Sequence, residues 1–420
     1  MDSPRPQLVI LADAPDALRV LFGISLLERL LRTIQRLGFR DALIVSKTPD
    51  EIAAHLAKPS WARAEVALSF RRRETGAPLV QDVATGAERI FVVSAGFYYD
   101  ARLLRALAEQ ETTTLLVDSS PPQESLPLWS REGVDFRGAA LLARDWFAGR
   151  QPTAALMDQL SSDAATRRIN VCDATREPTY VTSLRRHVRP VFFPAPLPDL
   201  VPLAEKFPRD VAQNGVLDFP GFLDSPIEDW IVARLCRTAI RPNHVTFLTM
   251  LIGLAVAAFF ATGHLWWGVV LAYTIEVLDG VDGKLARTKV ETTATGEWEH
   301  EVDYAIELSW WTALAFHFHA VGLKSAYWLL ALYVASDLFD RLAKRAAKKK
   351  VGRNLDDVSN FDRFVRCIGA RRNINVWILI AALALGDARH GFILICWWMA
   401  GTALAHLMRA IQVRQMTKSE

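Results

Sequence analysis

The 420-residue chain reads as two domains of different class, an N-terminal α/β domain and a C-terminal all-α domain of six transmembrane helices. Three observations lead there. The length exceeds what one compact domain usually holds. Residues 1–220 alternate short apolar runs with stretches of helical spacing. Residues 240–420 alternate apolar blocks of about 20 residues, the length that crosses a bilayer's hydrocarbon core, with short charged breaks. Composition agrees: 51% of residues are hydrophobic, 13 are Trp, and the formal charge is only +3. That charge argues neither for nor against nucleic acid, and no nucleic-acid partner is expected.

The elements follow in order. Strands are expected at 8–11, 42–46, 66–70, 89–94 and 113–117, and helices at 26–37, 51–56 and 101–109. This alternation favours a Rossmann-like sheet with crossover helices. Asp2, Pro4 and Arg5 precede only a short apolar run, so nothing at the N-terminus looks like a signal peptide. Cys172, Cys236, Cys367 and Cys396 show no paired or metal-type spacing, as suits a reducing compartment or buried thiols. A stretch rich in Pro and Gly, 190–226, places the boundary: an α/β domain at 1–200, a linker at 201–224 and the membrane domain at 225–415. The latter opens with a helix over 224–240, capped by Asp224 or Ser225 with Pro226 at its first position. Its apolar Ile227, Trp230, Ile231 and Leu235 against Arg234, Arg237 and Arg241 suit a helix in the membrane surface. An ordinary amphipathic core helix is the other reading.

Six spans are expected at 243–262, 265–287, 297–320, 324–342, 372–386 and 389–410. With the N-terminal domain in the cytoplasm, the connection after the fourth span is cytoplasmic. It carries Lys344, Arg345, Lys348, Lys349, Lys350 and Arg353, whereas the opposite-side connections near Thr262, Val321 and Asp387 carry few cations. This is the distribution that the positive-inside rule requires.

The chemistry sits at the facing ends of spans two and three. Asp279 and Asp282 are i,i+3 neighbours on one helix, and Glu299 and Asp303 are i,i+4 neighbours on the next. Ionisable groups at that depth are costly and face a polar cavity or one another. Four carboxylates meeting at a point cannot all stay ionised alone. Two divalent cations would neutralise them, and hard oxygen ligands suit Mg²⁺ or Mn²⁺. Paired metals are a common arrangement for displacement at phosphorus. Gly283 and Ala286 leave room for a nucleotide, and Arg287 suits a phosphate.

The run Asp279-x-x-Asp282-Gly283-x-x-Ala286-Arg287, followed by Gly296 and further acids, resembles the signature of the CDP-alcohol phosphotransferase family. In words, that signature is D-x-x-D-G-x-x-A-R, then G-x-x-x-D-x-x-x-D. The first half matches at every fixed position. In the second half, counting from Gly296 puts the acid positions on His300 and Tyr304, whereas counting from Arg287 with one deletion puts them on Glu299 and Asp303. The second register keeps the i,i+4 spacing and is preferred; His300 is then an alternative ligand or base. The resemblance implies that Asp279, Asp282, Glu299 and Asp303 hold a two-metal site of Mg²⁺ or Mn²⁺. It also implies that Asp303 acts as base on the acceptor hydroxyl, and that Asp279, Asp282, Gly283, Ala286, Arg287 and Thr246 bind the CDP part. The reaction implied is attack of an alcohol on the β-phosphorus of a CDP-alcohol, with release of CMP.

On the acceptor side, Arg371-Arg372-Asn373-x-Asn375 resembles the Arg-rich stretch of members that use inositol phosphate. Arg341 and Arg345, at i,i+4, would join it around an acceptor phosphate, although such cations also serve topology and lipid headgroups. The N-terminal domain is similar to sugar-nucleotide-type nucleotidyltransferases in its strand 8–12, its segment 21–29 and its strand 89–95. Its chemistry is missing. Asp13-Ala-Pro15-Asp16 replaces the Gly-rich phosphate loop, Ser94-Ala95-Gly96 replaces one metal acid, and the second is absent near residues 192–195. A degenerate domain with a binding, regulatory or assembly role is expected. The arrangement resembles bifunctional inositol-phosphate cytidylyltransferases fused to this membrane domain.

The leading expectation is therefore a cytoplasm-facing, multi-pass transferase joining a CDP-alcohol to a polyol or polyol-phosphate acceptor. Membrane lipids are expected around it, and the resemblance implies a homodimer. Alternatives are a phospholipid synthase using CDP-diacylglycerol and a catalytically impaired binding scaffold. A carrier is disfavoured, since the acids lie at span ends and the halves show no repeat.

Overall fold

The computed structural model describes residues 5–57, 65–74, 76–129, 138–215, 218–291, 296–352 and 354–416; among these, the side chains of 296–300, 351, 357 and 414–416 lie outside the description. The chain divides into two compact units. The first comprises residues 1–214 with two short returns, Cys236–Thr238 and Ala286–Thr292, and the second holds the rest.

Seven strands build the sheet of the first unit: β1 (Gln7–Leu11), β2 (Asp41–Ser46), β3 (Ala67–Arg72), β4 (Arg89–Ser94), β5 (Thr114–Val117), β6 (Ala139–Ala143) and β7 (Asn170–Asp173). Their order is β7-β5-β6-β4-β1-β2-β3. At the centre, Val9 of β1 lies opposite Leu43 and Val92 in parallel register. β6, which the sequence reading lacks, runs antiparallel between β4 and β5. Helices α1 (Leu26–Arg36), α2 (Pro49–Leu56), α3 (Ala101–Ala108), α4 (Leu156–Ala165) and α5 (Val201–Ala212) accompany the sheet. The expected strands and helices are all present, shifted by one or two residues at their ends.

Alternation along the strands decides which face each residue serves. Leu8, Ile10, Phe91 and Val93 pack in one cluster with Leu27, Leu30 and Ile34 of α1 and Leu103 and Leu104 of α3. Val9, Leu11, Ile90 and Val92 pack in a second with Trp146, Leu156 and Leu160. Both faces are covered, which is why these strands are apolar throughout. α1 begins at Ser25, whose hydroxyl accepts from the Glu28 N–H at 3.2 Å, an N-cap in the usual sense. The segment read as a linker, 201–224, carries α5 and the start of the next helix.

In the second unit the helices are α6 (Phe219–Leu235), α7 (Pro242–Ala261), α8 (Leu265–Thr288), α9 (Gly296–Ala320), α10 (Ala326–Val351), α11 (Asn360–Ile368), α12 (Arg372–Ala384) and α13 (Ala388–Met416). α6 corrects the helix expected over 224–240. It starts at Phe219 because Asp218 accepts from the Gly221 N–H at 3.2 Å and Pro220 fills the first turn, so Pro226 lies inside. α10 continues through the Lys-rich run to Val351, since Lys and Ala are good helix formers, and Gly352 ends it with φ of 74°. α11 is an added helix.

α7 and the stretch Ala388–Val413 of α13 are each long and apolar enough to cross a membrane, with mean hydropathies of 2.0 and 1.6. α11 with α12, bent by 47°, makes a third candidate. α8 falls short because it carries Glu276, Asp279, Asp282, Lys284 and Arg287. The second unit is thus a helical membrane domain. Its core gathers Val256, Ala272, Trp310, Trp311, Leu314, Leu379, Phe392 and Cys396. Large apolar side chains also face outward, among them Trp266, Trp267, Trp328, Leu385 and Trp397, at 52–84% exposure. Such a girdle suits lipid as solvent. At Gly253 a Cβ would stand 2.5 Å from Ile306 Cγ2, so glycine sets the approach of α7 to α9.

Replacing Phe91, fully buried at the centre of β4, by Ala is expected to destabilise the first unit by about 3–5 kcal/mol. Urea titration of the purified full-length variant followed by near-UV circular dichroism checks it.

Candidate active site in the membrane domain

The carboxylates expected to do chemistry lie along α8. Asp282 is buried at 8% exposure, and its Oδ2 accepts from the Thr246 hydroxyl of α7 at 3.1 Å. Thr246, placed near the CDP part from the sequence, therefore touches the motif directly. Asp279 stands one turn earlier with a side chain 42% exposed. Its Oδ2 lies 2.6 Å from Nη2 of Arg372, at the start of α12. Nε of the same guanidinium donates to Glu276 Oε1 at 2.7 Å. Glu276 is a participant that the sequence reading passed over. Its signal was present: 276, 279 and 282 are spaced by three and share a helix face.

Deeper in the bundle, Trp311 Nε1 and the Tyr333 hydroxyl each approach Glu307 Oε1 at 3.4 Å, and Asn375 Nδ2 lies 3.3 Å from that hydroxyl. Asn375, which stands where the resemblance expects a second Arg, is fully buried in this polar chain.

A second cationic anchor is Lys284, 2% exposed. Its ammonium lies 2.7 Å from Glu228 Oε2 and 2.9 Å from Asp229 Oδ1 of α6. Gly280 admits this contact: a Cβ there would sit 2.1 Å from Glu228 Oε1. α6 is thereby held against the motif helix by the buried Lys284 with its partly exposed partners Glu228 and Asp229, and not by apolar packing alone.

The other expected residues are placed as follows. Arg371 reaches Asp218 at 3.7 Å. Arg341 pairs with Asp337 at 2.9 Å and lies over the Tyr304 ring at 4.1 Å, so Tyr304 serves as a cation platform. Arg345 is exposed on α10. Gly283 is half-buried on α8. Ala286 and Arg287 belong to the first unit, where Arg287 Nε donates to the Ala212 carbonyl at 2.7 Å. Asp303 is half-buried on α9. The side chains of Glu299 and His300 lie outside the described residues.

In the first unit the position expected of a phosphate loop holds a carboxylate instead. Asp13 pairs with Arg73 and accepts from the Lys47 N–H at 3.0 Å. Phe192–Pro194 pairs antiparallel with Phe97–Tyr99 in an aromatic layer.

Among the described residues, no group of three or more His, Cys, Asp or Glu is spaced to hold a metal ion. The donor chemistry still fits a hard divalent cation. Asp279 and Asp282 present carboxylate oxygens one turn apart, Asp279 is open to solvent, and three carboxyl groups (Glu276, Asp279 and Glu307) interact electrostatically with the single guanidinium of Arg372.

This combination of motif and membrane helices has a family. Residues 239–358 match the CDP-alcohol phosphatidyltransferase family model, and the chain carries a domain of that family. Among curated proteins it is similar to the bifunctional IPC transferase and DIPP synthase of Aquifex aeolicus, 26% identical over 205 residues. That alignment covers 47% of this chain and 45% of the relative, so the chain spans about half the length of the curated relative it matches. Two solved structures are also similar. A putative glucose-1-phosphate thymidylyltransferase from Bacillus anthracis covers 48% of this chain and 94% of its own, with 11% identity and a TM-score of 0.35. A phosphatidylinositol phosphate synthase from Mycobacterium tuberculosis, with CDP-DAG bound, covers 45% and 92%, with 18% identity and a TM-score of 0.34.

Replacing Lys284 by Ala strands Glu228 and Asp229 without their cation. The expected loss is about 3–5 kcal/mol, seen as a lower melting temperature of the detergent-solubilised protein. The double change Lys284→Met with Glu228→Leu is expected to recover most of it.

Proposed function

We propose that the membrane domain transfers a substituted phosphate from a CDP-alcohol to an alcohol acceptor, forming a phosphodiester and releasing CMP. The observation that carries this reading is the continuous motif from Asp279 to Arg287 on one helix, with Thr246 and Arg372 converging on its acids. Asp279 and Asp282 bind cation and CDP, with Gly283 and Ala286 giving the nucleotide close approach. Glu299 and Asp303 complete the ligand set, Asp303 holds the acceptor's proton, and His300 is the alternative to Glu299. Mg²⁺ or Mn²⁺, when bound, supplies charge stabilisation at the transferring phosphoryl group.

The acceptor is a polyol or polyol phosphate, met by Arg341, Arg345, Arg371 and Arg372. Arg372, engaged by Glu276 and Asp279, would reach the acceptor only with the fork edge that those acids release. The naming of the Aquifex relative as a DIPP synthase supports an inositol-phosphate acceptor, with CDP-diacylglycerol as the alternative donor. The domain spans the membrane six times through α7, α8, α9, α10, α12 and α13. Its active site and N-terminal unit face the cytoplasm, and it works as a homodimer. The N-terminal unit does not catalyse nucleotidyl transfer, as the Asp13–Arg73 pair at the phosphate-loop position argues.

Purified protein supplied with soluble CDP-polyols or CDP-diacylglycerol, with inositol phosphate as acceptor, is expected to release CMP only with Mg²⁺ or Mn²⁺. Asp282→Asn is expected to lower that release by at least about 100-fold. Full activity in Asp282→Asn, or in the presence of a chelator, sinks the reading.

A further inference from the structure

Glu276 lies outside the motif, yet it is the more buried of the two acids that hold Arg372. Its side chain is 8% exposed, against 18% for Arg372 and 42% for Asp279. A buried glutamate in a membrane helix is expensive, and its cost is lowered only by a well-oriented cation. Arg372 provides that orientation through its planar fork, with Nε on Glu276 at 2.7 Å and Nη2 on Asp279 at 2.6 Å. A cation bound to Asp279 alone would have to be stranded before Asp279 took another ligand. A cation shared with Glu276 keeps one charge-assisted bond when the other is given up.

We infer that Glu276 is a positioning residue that makes Arg372 an exchangeable counter-ion of Asp279. Arg372 neutralises Asp279 until a divalent cation takes the carboxylate, and Glu276 then retains the guanidinium. Two further features fit. Glu307 adds a third carboxyl group to the electrostatic surroundings of Arg372, with Arg341 acting on it as well. Glu307 is itself tethered by Trp311 and Tyr333 and is not free to follow Arg372. The inference rests on the proposed role of Asp279 as a cation ligand, and it assigns a function to Glu276 that the motif does not contain.

The test is a double-mutant cycle on Mn²⁺ affinity. Full-length protein in detergent is titrated with Mn²⁺, and free ion is followed by electron paramagnetic resonance, for wild type, Glu276→Gln, Arg372→Gln and the double variant. Glu276→Gln is expected to weaken Mn²⁺ binding about tenfold, because Arg372 then holds only Asp279. The double variant is expected to bind about fivefold more tightly than wild type, because Glu276 matters only while Arg372 is present. If Glu276 were only a nearby negative charge, the tenfold loss and the fivefold gain would combine additively in free energy, and the double variant would bind about twofold more weakly than wild type. That result overturns the inference, as does wild-type affinity in Glu276→Gln. The double variant removes Arg372 together with one of its two acids and so strands less negative charge than Arg372→Gln alone; its fold is checked by circular dichroism, and its own affinity relative to wild type separates the two readings. Absence of Mn²⁺ binding by wild type overturns the inference and the proposed cation site together. Normal wild-type binding with an additive cycle overturns the inference alone.

Discussion

Carboxylates buried inside a helical membrane domain lose much of their hydration, and several in the second unit are paired with cations. Glu276 and Asp279 share Arg372, and Glu228 and Asp229 share Lys284. Asp340 lies between Lys344 at 2.9 Å and His406 at 2.6 Å, Asp356 meets Arg366, and Asp362 meets Arg409 at 2.7 Å. On a water-exposed surface such pairs are worth little. Inside, each one constrains which helices lie together, because removing either member leaves a charge with nowhere to go. The pairs on Glu276, Asp279, Glu228 and Asp229 bring α12 and α6 to α8, and that is how the acids of the motif come to share a site with Arg372.

The first unit obeys a different constraint. A largely parallel sheet must be covered on both faces, and its strands alternate between two apolar clusters for that reason. Nothing in that packing asks for catalytic groups. Asp13 pairs with Arg73 instead, and the rings of Tyr98 and Phe193 stack with centroids 4.8 Å apart.

Much of this was readable in the chain. Strand and helix positions in the first unit follow from apolar periodicity, and the helices of the second from apolar blocks. The helix at Phe219–Leu235 was misread because Asp218 and Pro220 offer a better start than Asp224 and Pro226, and competing caps look alike in sequence. The strand Ala139–Ala143 was missed because Ala-Ala-Leu-Leu-Ala consists of good helix formers and holds no β-branched or aromatic residue. Glu276 was readable from its spacing, but its worth depends on Arg372, 96 residues away.

Thus the chemistry on offer was determined by the sequence itself. Asp279, Asp282, Gly283, Ala286 and Arg287 are consecutive turns of one helix, and helix geometry alone relates them. The tertiary structure decided which cations meet those acids. Arg372 was expected beside an acceptor phosphate and is found on Glu276 and Asp279; Lys284, unremarked in the motif, is found on Glu228 and Asp229. The physical reason is that a side chain's own helix fixes its direction, whereas the partner it must find at bilayer depth depends on which helices pack against it.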